Sequence, residues 1–158
     1  MTELYERFAP VVFRRAVSIL GHEADAWDVT QDVFRKLLES PQAFRGEARP
    51  MTYVYRITTN LALNALRAKK VREPGGAVPD ALEPADSGVA PSDARNLLHR
   101  LANELDGRAL QIAALHFLDG LTQEEISEVV GLSRKTIGKE LTAVRERAQA
   151  LAGGQSHG

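Results

Sequence analysis

The sequence predicts an all-α protein made of two small helical domains joined by a flexible linker. Apolar residues recur at helical spacing in every hydrophobic stretch, and period-two alternation never persists long enough for a strand. Composition then changes abruptly at VREPGGAVPDALEPADSGVAP (71–91), which holds four of the seven prolines and three of the glycines. Helical periodicity resumes beyond it. At 158 residues, 44% hydrophobic and 26% charged, the chain has globular composition, with apolar material for modest helical cores. The expected boundaries are a first domain at 1–70, a linker at 71–93, a second domain at 94–152 and a disordered tail at 153–158.

In the first domain, Leu4, Phe8, Val11, Val12, Ala16, Ile19 and Leu20 mark a helix, with Pro10 predicting an early break or kink. Gly21 and His22 punctuate it. Asp25 is placed to cap a second helix whose apolar stripe is Trp27, Val29, Val33, Phe34, Leu37 and Leu38, of which Val33, Leu37 and Leu38 are read as core. SPQAFRGEARP (40–50) is loop chemistry, and Pro50 suits the first turn of a long third helix. There Tyr53, Val54, Ile57, Leu61 and Leu66 are apolar, while Arg56, Thr59, Asn60, Asn64 and Arg67 form another face. In the second domain, Ser92 or Asp93 caps one helix, Asp106 caps the next, and Asp119-Gly120 makes a turn.

Charge is segregated beneath a formal total of −1. Residues 1–70 hold 11 Lys/Arg against 8 Asp/Glu, residues 71–93 hold 1 against 5, and residues 94–158 hold 8 against 8. Within the first domain an acidic segment (21–40) precedes a basic one (41–70), which points to two faces for two partners. Cysteine is absent, excluding disulfides and thiolate chemistry. The four histidines are scattered, without metal-ligand spacing, and PGG and AGGQ lack the helix and lysine of a phosphate loop. No enzyme, metal or cofactor is expected. Glu3 and Glu6 are wrong for a signal peptide, and no run approaches a membrane span, so a cytoplasmic chain without membrane insertion is expected.

The strongest local signal lies at 121–149. Thr122-Gln-Glu-Glu125 is a capping box, Gly131 permits a left-handed turn, Leu132 plugs the junction and Ser133 caps the next helix. Ser127 stands four before the turn glycine and Ile137 six after it, the spacing of a DNA-binding helix-turn-helix. Arg134, Lys135 and Lys139 fall where the second helix enters a groove, with Thr136, Thr142 and Arg145 further along. Glu140 and Glu146 weaken that positive field, and Gly138 marks either close approach to DNA or drift.

These residues resemble a known family. LTQEEISEVVGLSRKTIGKELTAVRERA is similar to region four of bacterial RNA polymerase sigma factors, DAWDVTQDVFRKLLE (25–39) to the region-two helix that docks on core polymerase, and FRGEARPMTYVYRITTNLALNALR (44–67) to the part that opens the minus-10 element. Two such regions and a linker resemble the extracytoplasmic-function (ECF) subfamily. The resemblance implies that Asp25, Asp28, Gln31 and Asp32 contact core polymerase. It places Arg45, Arg49, Tyr53, Arg56, Asn60 and Asn64 at the minus-10 element, and Ser133, Arg134, Lys135, Thr136, Lys139, Thr142 and Arg145 at the minus-35 element. Tyr53 stands where tryptophan is usual, and Trp27 where an acidic residue is frequent. Promoter DNA, core RNA polymerase and an anti-sigma factor, often membrane-anchored, are the partners so implied. Two alternatives remain at this level: a stand-alone helix-turn-helix regulator and a sigma-like decoy that binds an anti-sigma protein. Thr30 is either a phosphorylation site on the docking helix or an ordinary helix threonine.

Overall fold

A computed structural model describes residues 2–42, 49–72 and 91–155, and these contain seven α-helices and no strand. Most of the expected linker, the loop at 43–48 with Arg45, and the last three residues lie outside the described set. The first three helices are α1 (Thr2–Leu20), α2 (Glu23–Glu39) and α3 (Pro50–Arg72). They pack on one another through Phe8, Val12, Ala16 and Ile19 of α1, Ala26, Val29, Val33 and Leu37 of α2, and Val54, Leu63 and Leu66 of α3. Burying each large apolar side chain contributes roughly 1.5–3 kcal/mol, so this stripe geometry, not intrinsic propensity, holds the helices.

Three local expectations are corrected. Pro10 does not break α1, which runs through it; the proline is exposed, where solvent can satisfy the carbonyl that its missing N–H leaves unpaired. Asp25 is not a cap. The N-cap of α2 is His22, without a side-chain cap bond, and Asp25 lies in the first turn, accepting from Lys69 Nζ at 2.8 Å. Leu38 is 55% exposed, whereas Val33 and Leu37 are buried: Leu38 lies about 100° around the helix from Leu37, beyond the edge of the buried stripe.

The second set is α4 (Pro91–Leu101), α5 (Gly107–Ala113), α6 (Gln123–Val130) and α7 (Arg134–Gln155). Asp106 caps α5, accepting from Ala109 N at 2.8 Å as its position predicts. The chain then widens into a π-helical turn over Ala114–Leu118, with Asp119 N donating to Ala114 O at 3.2 Å. Helix α7 continues through Gln155, so residues 153–155 are helical where a disordered tail was expected.

The two halves share a core. The buried cluster of α1–α3 continues without interruption into Leu98, Leu101, Ala102, Leu110, Ala113, Ala114 and Val144. Polar groups bridge the same seam. Arg15, on the apolar face of α1, donates from Nη1 to Asp119 Oδ1 at 2.5 Å and from Nε to Thr59 Oγ1 at 3.1 Å, and its guanidinium lies 4.5 Å from the Tyr55 ring centroid. Burial pushes the Tyr55 phenol well above its ordinary value, an effect the adjacent Arg15 charge only partly offsets. Arg67 of α3 donates from Nε to Ala102 O at 3.0 Å and from Nη2 to Leu105 O. Arg95 Nε donates to Ser18 O at 2.9 Å, and buried His99 donates from Nε2 to Ile19 O at 2.9 Å. Both bonds end on the last turn of α1, where carbonyls lack intrahelical donors.

Two consequences are measurable. Removing one member of a buried ion pair strands the other, so Asp119→Ala should cost about 3–5 kcal/mol in urea unfolding, while Arg15→Met with Asp119→Leu should cost markedly less. Burial lowers the His99 pKa to about 4, with the Ile19 hydrogen bond opposing that shift. Because the folded ring binds its proton more weakly than the unfolded one, stability is complete above about pH 6.5 and declines as pH falls towards about 4. His99→Gln should flatten that part of a stability–pH curve, on the order of 3 kcal/mol at most.

Candidate nucleic-acid interface

Helices α6 and α7 form the turn that the sequence predicts. Thr122 accepts from Glu125 N at 3.1 Å while Glu125 Oε1 accepts from Thr122 N at 2.9 Å, closing the capping box. Gly131 ends α6 at φ 76°, a left-handed conformation that glycine adopts without steric cost. Ser127 Oγ donates across the turn to Leu132 O at 2.5 Å, which fixes why a small hydroxyl residue stands there. Ser133 then caps α7, accepting from Thr136 N at 3.1 Å. Ile126, Ile137 and Leu141 are fully buried with Ile112 and Leu115 of the preceding helix, so the two-helix unit sits on its own small core.

That core sets which residues of α7 face out. Arg134, Lys135 and Lys139 are exposed, and their side chains have no hydrogen bond or ion pair among the described residues. Thr142, also exposed, donates to Gly138 O at 3.0 Å, and Thr136 is half-buried against Ser133. Arg145 is held near α5: His116 Nδ1 donates to Leu121 O at 3.0 Å, leaving Nε2 to accept from Arg145 Nη2 at 3.3 Å. His116 is thus a satisfied edge histidine. Two expectations about this helix change. Glu140 does not oppose the cationic face, because its Oε1 accepts from Arg108 Nη2 of α5 at 2.9 Å. Gly138 faces α6 and not the outer surface: a β-carbon there would stand 3.4 Å from Gln123 Oε1.

The basic helix α3 is placed differently. Arg49 lies 3.9 Å from Glu128 of α6, and Arg56 Nη1 donates to Val129 O at 3.4 Å, with its guanidinium 5.8 Å from the Tyr53 ring centroid. Tyr53 is half-buried. Asn60 and Asn64, both exposed, line an open cleft shared with Arg108 and Gln111 of α5. Of the expected minus-10 set, Tyr53, Arg56, Asn60 and Asn64 fall along one side of α3; Arg49 and Arg56 reach α6, while Asn60 and Asn64 are exposed, and Arg45 lies outside the described residues.

On α2, Asp28, Gln31 and Asp32 are exposed, with Asp32 accepting from Arg35 at 3.0 Å and Asp25 drawn off to Lys69. Trp27 is half exposed beside them, edge-on to Phe13 at 5.2 Å. Thr30 is fully buried and donates to Ala26 O at 2.8 Å, which removes it as an accessible modification site. Phe34 is buried and packs at a tilt against Tyr5, with ring centroids 4.8 Å apart.

The Sigma-70 region 2 family matches residues 4–72, and the ECF sigma factor family matches residues 54–152, most of the chain. This protein belongs to the ECF sigma factor family. Among curated relatives, the ECF RNA polymerase sigma-E factor of Escherichia coli is 29% identical over 80% of this chain and 75% of its own length. RNA polymerase sigma factor SigV of Bacillus subtilis is 28% identical over 82% of this chain and 76% of its own. The fold is similar to that of the sigma factor RpoE from Bartonella quintana, solved in complex with the anti-sigma factor NepR, at a TM-score of 0.56 and 20% identity over 96% and 95% of the two chains. No helix of this sigma factor is long and apolar enough to cross a membrane among the described residues.

Sequence reasoning gave Arg15, Asp119, Arg67 and Glu128 no part in joining the halves, which they do. One signal was present: Arg15 falls on the spacing of Phe8, Val12, Ala16 and Ile19, a cation within an apolar stripe that demands a buried acid. Gly138→Ala, which adds a methyl beside a flexible glutamine, should stabilise the sigma factor by about 1 kcal/mol and raise the melting temperature by roughly 2–4 °C. DNA affinity should stay unchanged, as a parallel binding titration would report.

Proposed function

We propose that this protein initiates transcription by joining core RNA polymerase through Asp28, Gln31 and Asp32 of α2, and that it acts on two promoter elements. Arg134, Lys135, Thr136, Lys139, Thr142 and Arg145 contact the minus-35 duplex, with the N-terminus of α7 and Ser133 at a phosphate. Tyr53, Arg49, Arg56, Asn60 and Asn64, with Arg45 of the preceding loop, take the unpaired minus-10 strand, the amides and guanidinium groups bonding exposed bases and the ring stacking on one. The observation that supports this most is the pairing, in one chain, of a capped helix-turn-helix carrying three cations without a partner among the described residues with a separate face of cations, amides and an aromatic. Duplex readers need the first; single-strand readers need the second. No bond of a substrate is broken in this role, so it is a binding function and not an enzymatic one. Asp25, tied to Lys69, contributes to core binding mainly by orienting the start of α2.

The anti-sigma complex of the Bartonella protein also supports an anti-sigma partner for this chain. Near-neutral net charge implies that the protein alone neutralises few phosphates, so core polymerase must supply most of the grip on DNA.

The test is transcription by core polymerase with this protein on a randomised promoter library, with sequencing of the transcribed templates. Enrichment of two elements at fixed spacing is expected. Arg134→Ala should lower transcription from an enriched promoter about tenfold or more, the worth of one guanine or phosphate contact. Transcription that does not exceed core polymerase alone would end this reading.

A further inference from the structure

Two large apolar side chains of α2 stay out of the core. Trp27 is 49% exposed and Leu38 is 55% exposed. They lie within about 20° of each other around the helix and about 16 Å apart along it. Helix α1 lines the same shoulder: Phe13 meets Trp27 edge-on at 5.2 Å, and Tyr5, itself 37% exposed, packs against Phe34 at 4.8 Å. Three of the five large apolar side chains exposed among the described residues, Tyr5, Trp27 and Leu38, are therefore set on one ridge along α1 and α2. Singly exposed apolar residues are ordinary, but an aligned set bordered by polar groups marks an interaction surface. We propose that this ridge is the apolar half of the surface by which α2 docks on core RNA polymerase, with Trp27 and Leu38 as its two anchors.

The occupant follows from what borders the ridge. Gln31 lies about 40° around α2 from Trp27, Asp28 about 100° and Asp32 about 140°, and all three are exposed. The acceptors assigned to core polymerase begin where the apolar ridge ends, so one partner surface spans both. Asp32 is already bonded to Arg35 and Asp25 to Lys69, which leaves the carboxylates a partly neutralised target. Exposed ion pairs contribute little in water, whereas a tryptophan that fills a pocket is among the side chains whose loss weakens an interface most. The carboxylates and the amide then set orientation and specificity, and the ridge supplies affinity. The partner must offer two apolar recesses about 16 Å apart, flanked on one side by donors for Gln31, Asp28 and Asp32. The choice of core polymerase as that partner rests on the function proposed above.

Trp27 is the one tryptophan of the chain, so 5-hydroxytryptophan incorporated there can be excited apart from the tryptophans of core polymerase. Its fluorescence should be quenched by acrylamide in the free full-length protein and protected in the complex with core. Competition against a labelled wild-type chain then gives affinities for core polymerase. Trp27→Gln should weaken binding tenfold or more and Leu38→Gln several-fold, with Trp27→Phe recovering most of the first loss. Both losses should be the same at low and high salt, whereas the loss in Asp28→Asn should shrink as salt screens the charge. Far-UV circular dichroism and thermal melting check that each variant folds. A ring that stays open to acrylamide in the complex overturns the ridge as a docking surface. So does unchanged affinity in Trp27→Gln or, should that variant not fold, in Leu38→Gln, when Asp28→Asn weakens binding; docking through the carboxylates then stands without the ridge. If none of the three weakens binding, the docking role of α2 falls and the ridge falls with it. A free chain that sediments as a dimer, and as a monomer in Leu38→Gln, would give the ridge to a second copy and overturn the assignment to core polymerase.

Discussion

A guanidinium placed inside an apolar helix stripe needs a counter-charge. Arg15 sits where α1 would otherwise present a hydrophobic residue, and among the described residues its own half supplies no carboxylate to it; Thr59 offers only a hydroxyl. Leaving the charge unpaired would cost several kcal/mol, so the first three helices are electrostatically incomplete by themselves. Asp119 completes them. The position of α5 and of the turn after it follows from that requirement together with the apolar contacts of Leu110, Ala113 and Ala114. The helix-turn-helix is carried on the same turn, so its place beside α3 is inherited from the ion pair.

The two-helix unit itself depends on different forces. Its core of Ile126, Ile137, Leu141, Ile112 and Leu115 is separate, and its turn is defined by local bonds: the capping box, Gly131, and the Ser127 hydroxyl on Leu132 O. Local interactions of this kind survive rearrangement of the surrounding chain. The turn and capping geometry of α7 therefore does not rely on the contacts that join the two halves.

Such locality also explains which features were legible in the sequence. Caps, the glycine turn and apolar stripes are short-range, and Thr122, Gly131, Ser133, Asp106, with Val29, Val33, Phe34 and Leu37 of α2 and Val54, Ile57 and Leu66 of α3, were read correctly; Trp27, placed in the α2 stripe, is half exposed, and Thr59, placed on the polar face of α3, is buried. The exposed cations of α7 followed from the helix-turn-helix spacing, and the carboxylates of α2 from the resemblance to the family's core-binding helix. Errors arose where a third element decided the outcome. Leu38 was counted as core because a stripe drawn on one helix does not say how wide its partner is. Glu140 was set against the cations of α7 because Arg108 lies 32 residues away in sequence. Gly138 was ambiguous until α6 was seen to pass beside it. The seam between the halves was not legible at all, since a proline-rich stretch suggests separation and the residues that join across it are single polar side chains far apart in the chain.

The π-helical turn at Ala114–Leu118 gives the architecture an unusual dependence on length. One extra residue within a helical turn rotates everything after it by about 100° relative to a regular α-helix. Here the first residue after the widened turn is Asp119. Shortening that turn by one residue would keep every cap and stripe of the DNA-reading unit, yet aim the carboxylate away from Arg15. Whether the two halves of such a chain stay together or drift as tethered, independent bodies can therefore be decided by a single codon outside either reading surface.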